Sequence, residues 1–559
     1  MNDVVVEVTK RGKLLVGEPF FVPGTPLLLD RKGSGAAGPG DLAVARRPAR
    51  GRARIERVLG RADDVEAVLE GLLVDAGERA PFEPHALPEP SVEGRADLRD
   101  LVTFTIDPET AKDFDDAISA RREGDGGRVW VHIADVGHFV AVGTPLDRGA
   151  TARGFSVYVP GRVAPMLPPA LADDACSLRP HVDRLCVTVE IPFGPSLAIG
   201  EAAFYRSVIR SRERLTYGRA EAVLAGRERL DAELGDALRL ADGVARELRR
   251  RRFARGALRI ETPELAFAFD GRGGVERAWL EGEPEAHALV EELMILANEA
   301  VAGLLASRRR TALYRVHERP DPQAVSLLVA KLADLDVPTP PAPPDTKLTP
   351  AEAARLAAAV GERVAAYVER AGRGREAFPS LVLRAHKQAR YDPANLGHTG
   401  LASPAYCHFT SPIRRYPDLV CHRALLRELG ADDAPLPDDL GEVAAHTSAR
   451  ERAAAELEYR ADDVCLAWLL ERELYERGWD ATWEGEITGV IGSGVFVRFG
   501  EVFEGYLPVR RIPGDYFELN ALGTALVGRA SRRTYRLGDP IEVLVEDIRR
   551  AEGKVELRM

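Results

Sequence analysis

The sequence predicts an α+β multidomain protein in which a large mixed α/β domain is flanked by small β-barrel (OB-like) domains. Three observations lead there. Short segments of alternating polarity, divided by Gly and Pro, crowd residues 1–80 and 479–559. Long runs with apolar residues at helical spacing fill the middle. The chain has 559 residues, 45% hydrophobic and 29% charged, enough for a buried core and roughly three to four domains.

The first unit, 1–80, holds the strand-like segments LLVGEPFFV, TPLLLD, DLAVARR and RARIERVL around a GSGAAGPG turn. From Lys10 to Arg61 it carries twelve Lys/Arg against four Asp/Glu, within a chain of net charge −11. Two readings fit: a solvated basic edge, or a β-barrel that faces nucleic acid. A proline-rich linker covers 81–96 (APFEPHALPEP). The segments LVTFTI, DDAISA and VWVHIADV alternate with period two and read as a meander. Helices are expected over Arg219–Arg255, over HALVEELMILANEAVAGLLASR, and over the long run SARERAAAELEYRADDVCLAWLLERELYERG. The proline-dense 337–350 segment reads as polyproline on the surface. The last unit, 479–559, offers WEGEITGVIGSGVFVRF, EGYLPV, YRLGDPIEVLVEDI and KVELRM, as in a five-stranded OB barrel. Phe496, Phe499, Phe503 and Tyr506 belong either to a base-stacking face or to the barrel core.

Several function classes drop out. The cysteines, Cys176, Cys186, Cys407, Cys421 and Cys465, are odd in number and lack CxxC pairs, which argues against a disulfide framework or a cysteine-rich zinc site. The histidines show no HExxH spacing, and no Gly-rich loop ends in GK[ST], so a histidine–zinc centre and a P-loop NTPase are not expected. The opening MNDVVVEVTKRGK has no apolar core suited to export, and LMILANEAVAGLLA is interrupted by Asn298 and Glu299. A cytoplasmic protein without membrane contact is expected.

The densest chemistry is Asp107, Asp113, Asp115 and Asp116, four aspartates in the connection between two strands, with Pro108 ending the first. Mutual repulsion makes such a cluster costly unless a cation neutralises it. Hard oxygen ligands at this density suit Mg²⁺ or Mn²⁺, which keep water positions open for a phosphate substrate. A solvated acidic turn and a calcium loop are the alternatives, although the EF-hand pattern does not fit. A second constellation, His408 to Asp418 (HFTSPIRRYPD), sets Arg414 and Arg415 beside a Pro-fixed turn. Such a pair grips phosphate or forms surface ion pairs.

Taken together, TIDPETAKDFDDAIS, VWVHIADVGHFV, SVYVPGRVAPMLP, SVIRSRERLTY, AHALVEELMILANEAVA, LYRVHERPDP and HFTSPIRRYPDLVCHRALL resemble the catalytic (RNB) domain of the ribonuclease II / ribonuclease R family, over about 97–475. The stretch GHTGLASPAYCHFTSPIRRYPDL is closer to the ribonuclease R branch. The unit 479–559 resembles the family's C-terminal OB-type RNA-binding domain, and 1–80 a cold-shock-type domain, where the family usually has two. The resemblance implies processive 3′→5′ hydrolysis of single-stranded RNA to nucleoside 5′-monophosphates with Mg²⁺. It implies metal ligation by Asp107, Asp113, Asp115 and Asp116, and contact of Arg414 with the scissile phosphate. Tyr158 and Tyr217 match base-contacting tyrosines, Glu291 or Glu292 a substrate-contacting glutamate, and Glu458 a further family glutamate. The aromatic that completes the base clamp is replaced near Ile260. A monomer without an obligate protein partner is expected. Two competitors are an RNA-binding regulator that keeps the domain only as a channel, and a single-stranded DNA phosphodiesterase. All four aspartates weigh against the first, and the tyrosine and glutamate matches against the second.

Overall fold

The computed structural model describes residues 3–30, 37–47, 51–259, 263–271, 273–282, 285–341, 348–432 and 434–559. Ile260 and residues 342–347 of the proline-dense segment lie outside the described residues.

Five strands open the chain: β1 (Asp3–Arg11), β2 (Leu14–Pro19), β3 (Leu27–Leu28), β4 (Asp41–Arg46) and β5 (Arg54–Arg61). They pair in the order β3-β2-β1-β4-β5. A parallel bridge from Leu29 to Ala53 joins the two edges, with Asp30 N–H on the Ala53 carbonyl at 2.9 Å. Val6, Val8, Leu29, Ala43 and Ala45 fill the interior. A helix not expected from the sequence, α1 (Val65–Asp75), follows behind an Asp64 cap. Its apolar positions Val65, Val68, Leu69, Leu72 and Leu73 do follow the helical period, and all are buried.

The large central unit is built on a seven-stranded sheet of order β14-β7-β8-β9-β12-β13-β6. Its strands are β6 (Ala96–Asp97), β7 (Phe104–Asp107), β8 (Asp116–Glu123), β9 (Gly126–Ala134), β12 (Asp183–Phe193), β13 (Ala203–Arg210) and β14 (Glu213–Thr216). Between β9 and β12 come α2 (Val136–Phe139), α3 (Pro145–Arg153) and the hairpin β10 (Val157–Val159) with β11 (Arg162–Ala164). The expected meander is β7-β8-β9, and β6 takes two residues assigned by sequence to the linker and domain start. One face of the sheet, with Phe104, Ile118, Val129, Val131, Val187 and Val189, packs on α5 (Ala232–Ala254) and α6 (Glu285–Ser307). The helical run expected over Arg219–Arg255 is two helices, α4 (Tyr217–Leu224) and α5, because Gly226 turns with φ 73° and Asp231 caps the next start. Alongside the apolar layers a buried polar ladder crosses the strands. Thr103 Oγ1 bonds Ser119 Oγ at 2.8 Å, Ser119 bonds His132 Nε2 at 3.0 Å, His132 Nδ1 bonds Thr188 at 2.9 Å, and Thr188 bonds Ser207 at 2.6 Å.

The hairpin β15 (Glu264–Phe269) and β16 (Val275–Glu281) precedes α6, and β17 (Tyr314–Val316) follows it. Then come α7 (Pro322–Asp334), α8 (Pro350–Ala371), α9 (Ala377–Arg384), β18 (Arg390–Asp392), α10 (Tyr416–Glu428) and α11 (Leu440–Arg477). At 38 residues α11 is about 57 Å long, a spine against which both barrels and β10 pack.

The last unit is a closed barrel of β19 (Thr482–Ile491), β20 (Gly494–Phe499), β21 (Phe503–Pro508), β25 (Pro540–Arg549) and β26 (Lys554–Arg558). A small sheet of β22 (Phe517–Leu519), β23 (Ala525–Gly528) and β24 (Thr534–Arg536) is inserted. Phe499 and Phe503 sit in the core with Trp483, so a base-stacking role for these two is corrected. Phe496 and Tyr506 remain half-buried across from each other at 5.3 Å. Among the described residues no helix is long and apolar enough to cross a membrane, and all five cysteines are buried and free.

Candidate active site

The aspartates arise from a strand crossing that breaks off early. β7 and β8 share one ladder pair, Phe104 with Ile118. Beyond it the chain leaves the sheet at Asp107 and returns at Asp116, so both ends of the loop stay close. Arg214, opposite Thr105 on β14, donates to the carbonyls of Pro108 and Glu109. Ser177 ties the other side, accepting from Phe114 N–H at 3.1 Å and donating to Lys112 C=O at 2.6 Å. The sequence reading named neither residue. Each acts from a distant strand or turn, and nothing in its neighbours announces the contact.

A second segment closes on the loop from outside. Residues 154–156 run beside 414–416: Ser156 N–H bonds Arg414 C=O at 3.0 Å, and Tyr416 N–H bonds Gly154 C=O at 2.9 Å. This carries Tyr158 to the aspartates, where its hydroxyl donates to Asp113 Oδ2 at 2.8 Å. Glu458, on α11, accepts the Tyr158 amide at 2.7 Å. Asp115 accepts Ile413 N–H at 2.8 Å through Oδ1, and its Oδ2 lies 3.4 Å from Arg414 Nε. The Asp115 side chain is 4% exposed and that of Arg414 is 46%, so the guanidinium reaches outward from a buried anchor. Arg415 turns the other way. Asp418, fully buried, accepts it at 2.9 and 2.7 Å and also takes Ser411 N–H at 2.8 Å. Asp418 thus holds the turn that presents Arg414. Its i+3 spacing from Arg415 was visible in RRYPD, although the sequence reading gave it no role.

Tyr217 begins α4 right after Thr216, which pairs with Asp107 across β14 and β7, and its ring lies 5.4 Å from His287 of α6. The neighbouring glutamates of α6 part ways. Glu292 is 2% exposed and ion-paired with Arg252 of α5 at 2.9 and 3.2 Å. Glu291 is one-third exposed and only 3.4 Å from the same arginine. Seven of the ten candidates, Asp107, Asp113, Asp115, Asp116, Tyr158, Arg414 and Glu458, are thereby linked through contacts or shared electrostatics. Tyr217 feels Asp116 and Asp107 as well, while Glu291 and Glu292 are engaged by Arg252 instead.

Burial and repulsion raise the acids. Asp116 is pushed up to about 7 by burial and then by Asp107, with Arg414 opposing. Asp107 is pushed up to about 6, chiefly by burial. Asp115 is also held well above the usual carboxylate range by burial. Two buried oxygens, Asp107 Oδ2 and Asp115 Oδ2, have no hydrogen-bond partner. Orphaned, crowded carboxylate oxygens fit a divalent cation. Among the described residues no group of three or more His, Cys, Asp or Glu side chains is arranged to hold a metal ion. Mg²⁺ does not need one, because it keeps several waters and takes one or two carboxylates.

A mixed sheet that gathers acids at one broken strand crossing, with a barrel on either side, defines a class. The RNB domain matches residues 95–430 and the S1 RNA binding domain matches residues 479–559, and the chain belongs to the RNB-domain family. It is similar to ribonuclease R of Escherichia coli (strain K12), 37% identical over 485 residues that make up 85% of this chain and 58% of that protein. Ribonuclease R of Thermotoga maritima is 34% identical over 532 residues, 90% of this chain and 72% of that one. Among solved structures, Mycoplasma genitalium RNase R in complex with ribose methylated single-stranded RNA superposes with a TM-score of 0.87 at 25% identity, covering 100% of this chain and 89% of that chain. The chain spans 58% of the length of its Escherichia coli relative.

Proposed function

We propose that this protein is a processive 3′→5′ exoribonuclease that hydrolyses single-stranded RNA to nucleoside 5′-monophosphates with Mg²⁺ or Mn²⁺. The observation that carries the reading is the convergence of Asp107, Asp113, Asp115 and Asp116 with the outward-reaching Arg414. The four aspartates would hold the metal between them, one or two directly and the others through its waters, and the metal when bound would polarise water and steady the leaving oxygen. Arg414 offers a planar fork to the scissile phosphate, and its anchorage on Asp115 keeps that fork in place before substrate arrives. Tyr158 stacks on a terminal base, held at its backbone by Glu458 and at its hydroxyl by Asp113. Tyr217 contacts a second base. Of the two glutamates on α6, we assign the ribose hydroxyls to Glu291, one-third exposed and held by Arg252 only at 3.4 Å, while Glu292 braces α6 against α5.

We divide the chain into a cold-shock/OB-like barrel (1–80), a linker (81–96), the RNB catalytic domain (97–475) and an OB-type RNA-binding barrel (479–559). Free, buried cysteines suit a reducing cytoplasm, where the protein works as a monomer. The test is 5′-labelled single-stranded RNA and DNA of one sequence, incubated with Mg²⁺ and resolved by length. RNA should collapse to a short limit product with few intermediates while DNA stays intact. Equal cutting of DNA, or RNA bound but never shortened, would overturn the proposal.

A further inference from the structure

The C-terminal barrel meets the rest of the molecule along two lines. The first continues α11, which ends at Gly478 (φ 100°) and passes almost directly into β19. Here Arg550 pairs with Glu471 at 2.9 Å, and Gly553 abuts Asp463 so closely that an added Cβ would lie 2.5 Å from its side chain. With this line alone the barrel would hang on one joint.

The second line is contact with the α7–α9 bundle, and its centre is Glu486 of β19. Glu486 Oε2 accepts Arg375 N–H at 2.9 Å, and Oε1 accepts Glu376 N–H at 3.2 Å and Ala377 N–H at 3.1 Å. These are the orphan amides at the start of α9, whose own cap position, Glu376, makes no capping bond. A helix start draws negative charge, and in most helices a neighbouring Ser, Thr, Asp or Asn supplies the cap. Here a carboxylate from another domain does so.

The surroundings are equally close. Arg373 bonds Asp539 at 2.9 Å and Leu335 C=O at 2.8 Å. Gly538, at φ 79°, lies so near the Phe378 ring that any Cβ would stand 2.6 Å from it. Leu537 shares one core with Leu335, Phe378 and Val382. Arg536 reaches Asp336 at 2.8 Å. A cleft of about 1130 Å³ opens between the first barrel, α11 and the last barrel, lined among others by Phe20, Arg452, Tyr459, Arg549 and Lys554. The docking on α9 is thus a second hold on a barrel whose 549–554 edge, seated on α11, forms one wall of that cleft.

We propose that Glu486 is a positioning residue: by capping α9 across the domain boundary it locks the C-terminal barrel as an immobile wall, so that long RNA is held by a rigid surface and not by a tethered arm. The second half rests on the exoribonuclease reading, and the capping half does not. A rigid second contact raises the effective concentration of substrate at the first, and a loose one forfeits that gain.

The test uses the full chain with Glu486→Ala and Glu486→Gln, each checked for a cooperative melt. Hydrogen exchange should speed up at least about tenfold across 375–384 in Glu486→Ala, while Glu486→Gln, which keeps one acceptor oxygen but loses the one that takes Arg375 N–H, should fall between Ala and the parent. KM for a 30-nucleotide RNA should rise roughly tenfold in Glu486→Ala, with kcat on a 5-nucleotide RNA unchanged. Unaltered exchange at 375–384 would overturn the cap. Equal losses on long and short RNA, despite faster exchange, would overturn the wall. A parent protein that leaves both RNAs uncut would count against the exoribonuclease reading, and the exchange result would still decide the cap.

Discussion

Replacing Asp116 by Asn should destroy cleavage and at the same time make the metal-free protein more stable. Asp116 is pushed up to about 7 from an ordinary 3.8, first by burial and next by Asp107. At 1.36 kcal/mol per pH unit, the charged form at pH 8 costs up to roughly 4 kcal/mol. Part of the repulsion is felt on Asp107, and an amide is not free of desolvation, so a gain of about 1–3 kcal/mol is expected. The sign follows from linkage. A carboxylate whose folded pKa lies above its unfolded one contributes stability below about pH 4, and that contribution is lost as pH rises toward 7. Asn cannot titrate, so its advantage should be full at pH 8, less than half as large at pH 5, and gone below about pH 4. For so large a chain each kcal/mol moves Tm by roughly 2–4 °C, giving a rise of roughly 2–12 °C in EDTA. Mg²⁺ should reverse the order, because ligand at a hundred times its Kd stabilises by about 2.7 kcal/mol and the variant forfeits much of that. The assay is a set of melts at pH 5 and pH 8, in EDTA and in Mg²⁺, with single-turnover cleavage of labelled RNA alongside. A variant that melts at or below the parent in EDTA at pH 8, or that still cuts RNA at near-parental rate, would refute the charge-cluster argument.

Arg414→Lys keeps a charge but loses the fork 3.4 Å from Asp115, so kcat should fall by about 10²–10³ with little change in binding. A raised KM at constant kcat would reduce Arg414 to a binding residue. Tyr158→Ala should lengthen the limit product by removing a stack of about 1–3 kcal/mol, while Tyr158→Phe, which gives up only the bond to Asp113, should keep the parental length on a sequencing gel. Glu292→Gln should lower stability by about 3 kcal/mol by stranding the buried Arg252, whereas Glu291→Gln should leave the melt alone and weaken RNA turnover; the reverse pattern would exchange their roles. Changing Arg47, Arg52 and Arg54 of the first barrel to Ser should flatten the slope of log K against log salt by about 0.7 for each phosphate no longer neutralised, and an unaltered slope would move the basic footprint elsewhere.

What the sequence disclosed depended on how far apart the interacting residues lie. The aspartates were legible because Asp107 to Asp116 is one short loop, and Arg414 because a Pro-fixed turn frames it. Adjacent glutamates on a helix point about 100° apart, so whether Glu291 or Glu292 is free depends on Arg252 of α5, forty residues upstream of Glu292. Phe499 and Phe503 could not be told from Phe496 and Tyr506 because alternation assigns faces only once register is known. Arg214, Ser177 and Glu486 act through backbone groups of remote segments, and a backbone carbonyl or amide leaves no trace in the identity of the residue that owns it.

The buried ladder from Thr103 to Ser207 has a consequence for assembly. Burial holds His132 down to about 3, so its imidazole stays neutral, one nitrogen giving a hydrogen and the other receiving one. The five side chains must therefore hand their hydrogens along in a single sense, like carriages coupled nose to tail. Apolar alternation resists a slide of one residue, which turns every side chain to the other face, but tells a slide of two from the true register only weakly. Sliding here would uncouple hydroxyls in the dry interior, at about 1–3 kcal/mol apiece. β7 enters the sheet next to Thr103 and keeps only one paired residue with β8 before it breaks away. The coupling of Thr103 to Ser119 is thus a gauge that sets how far β7 is drawn in, and with it where Asp107 stands among the other aspartates.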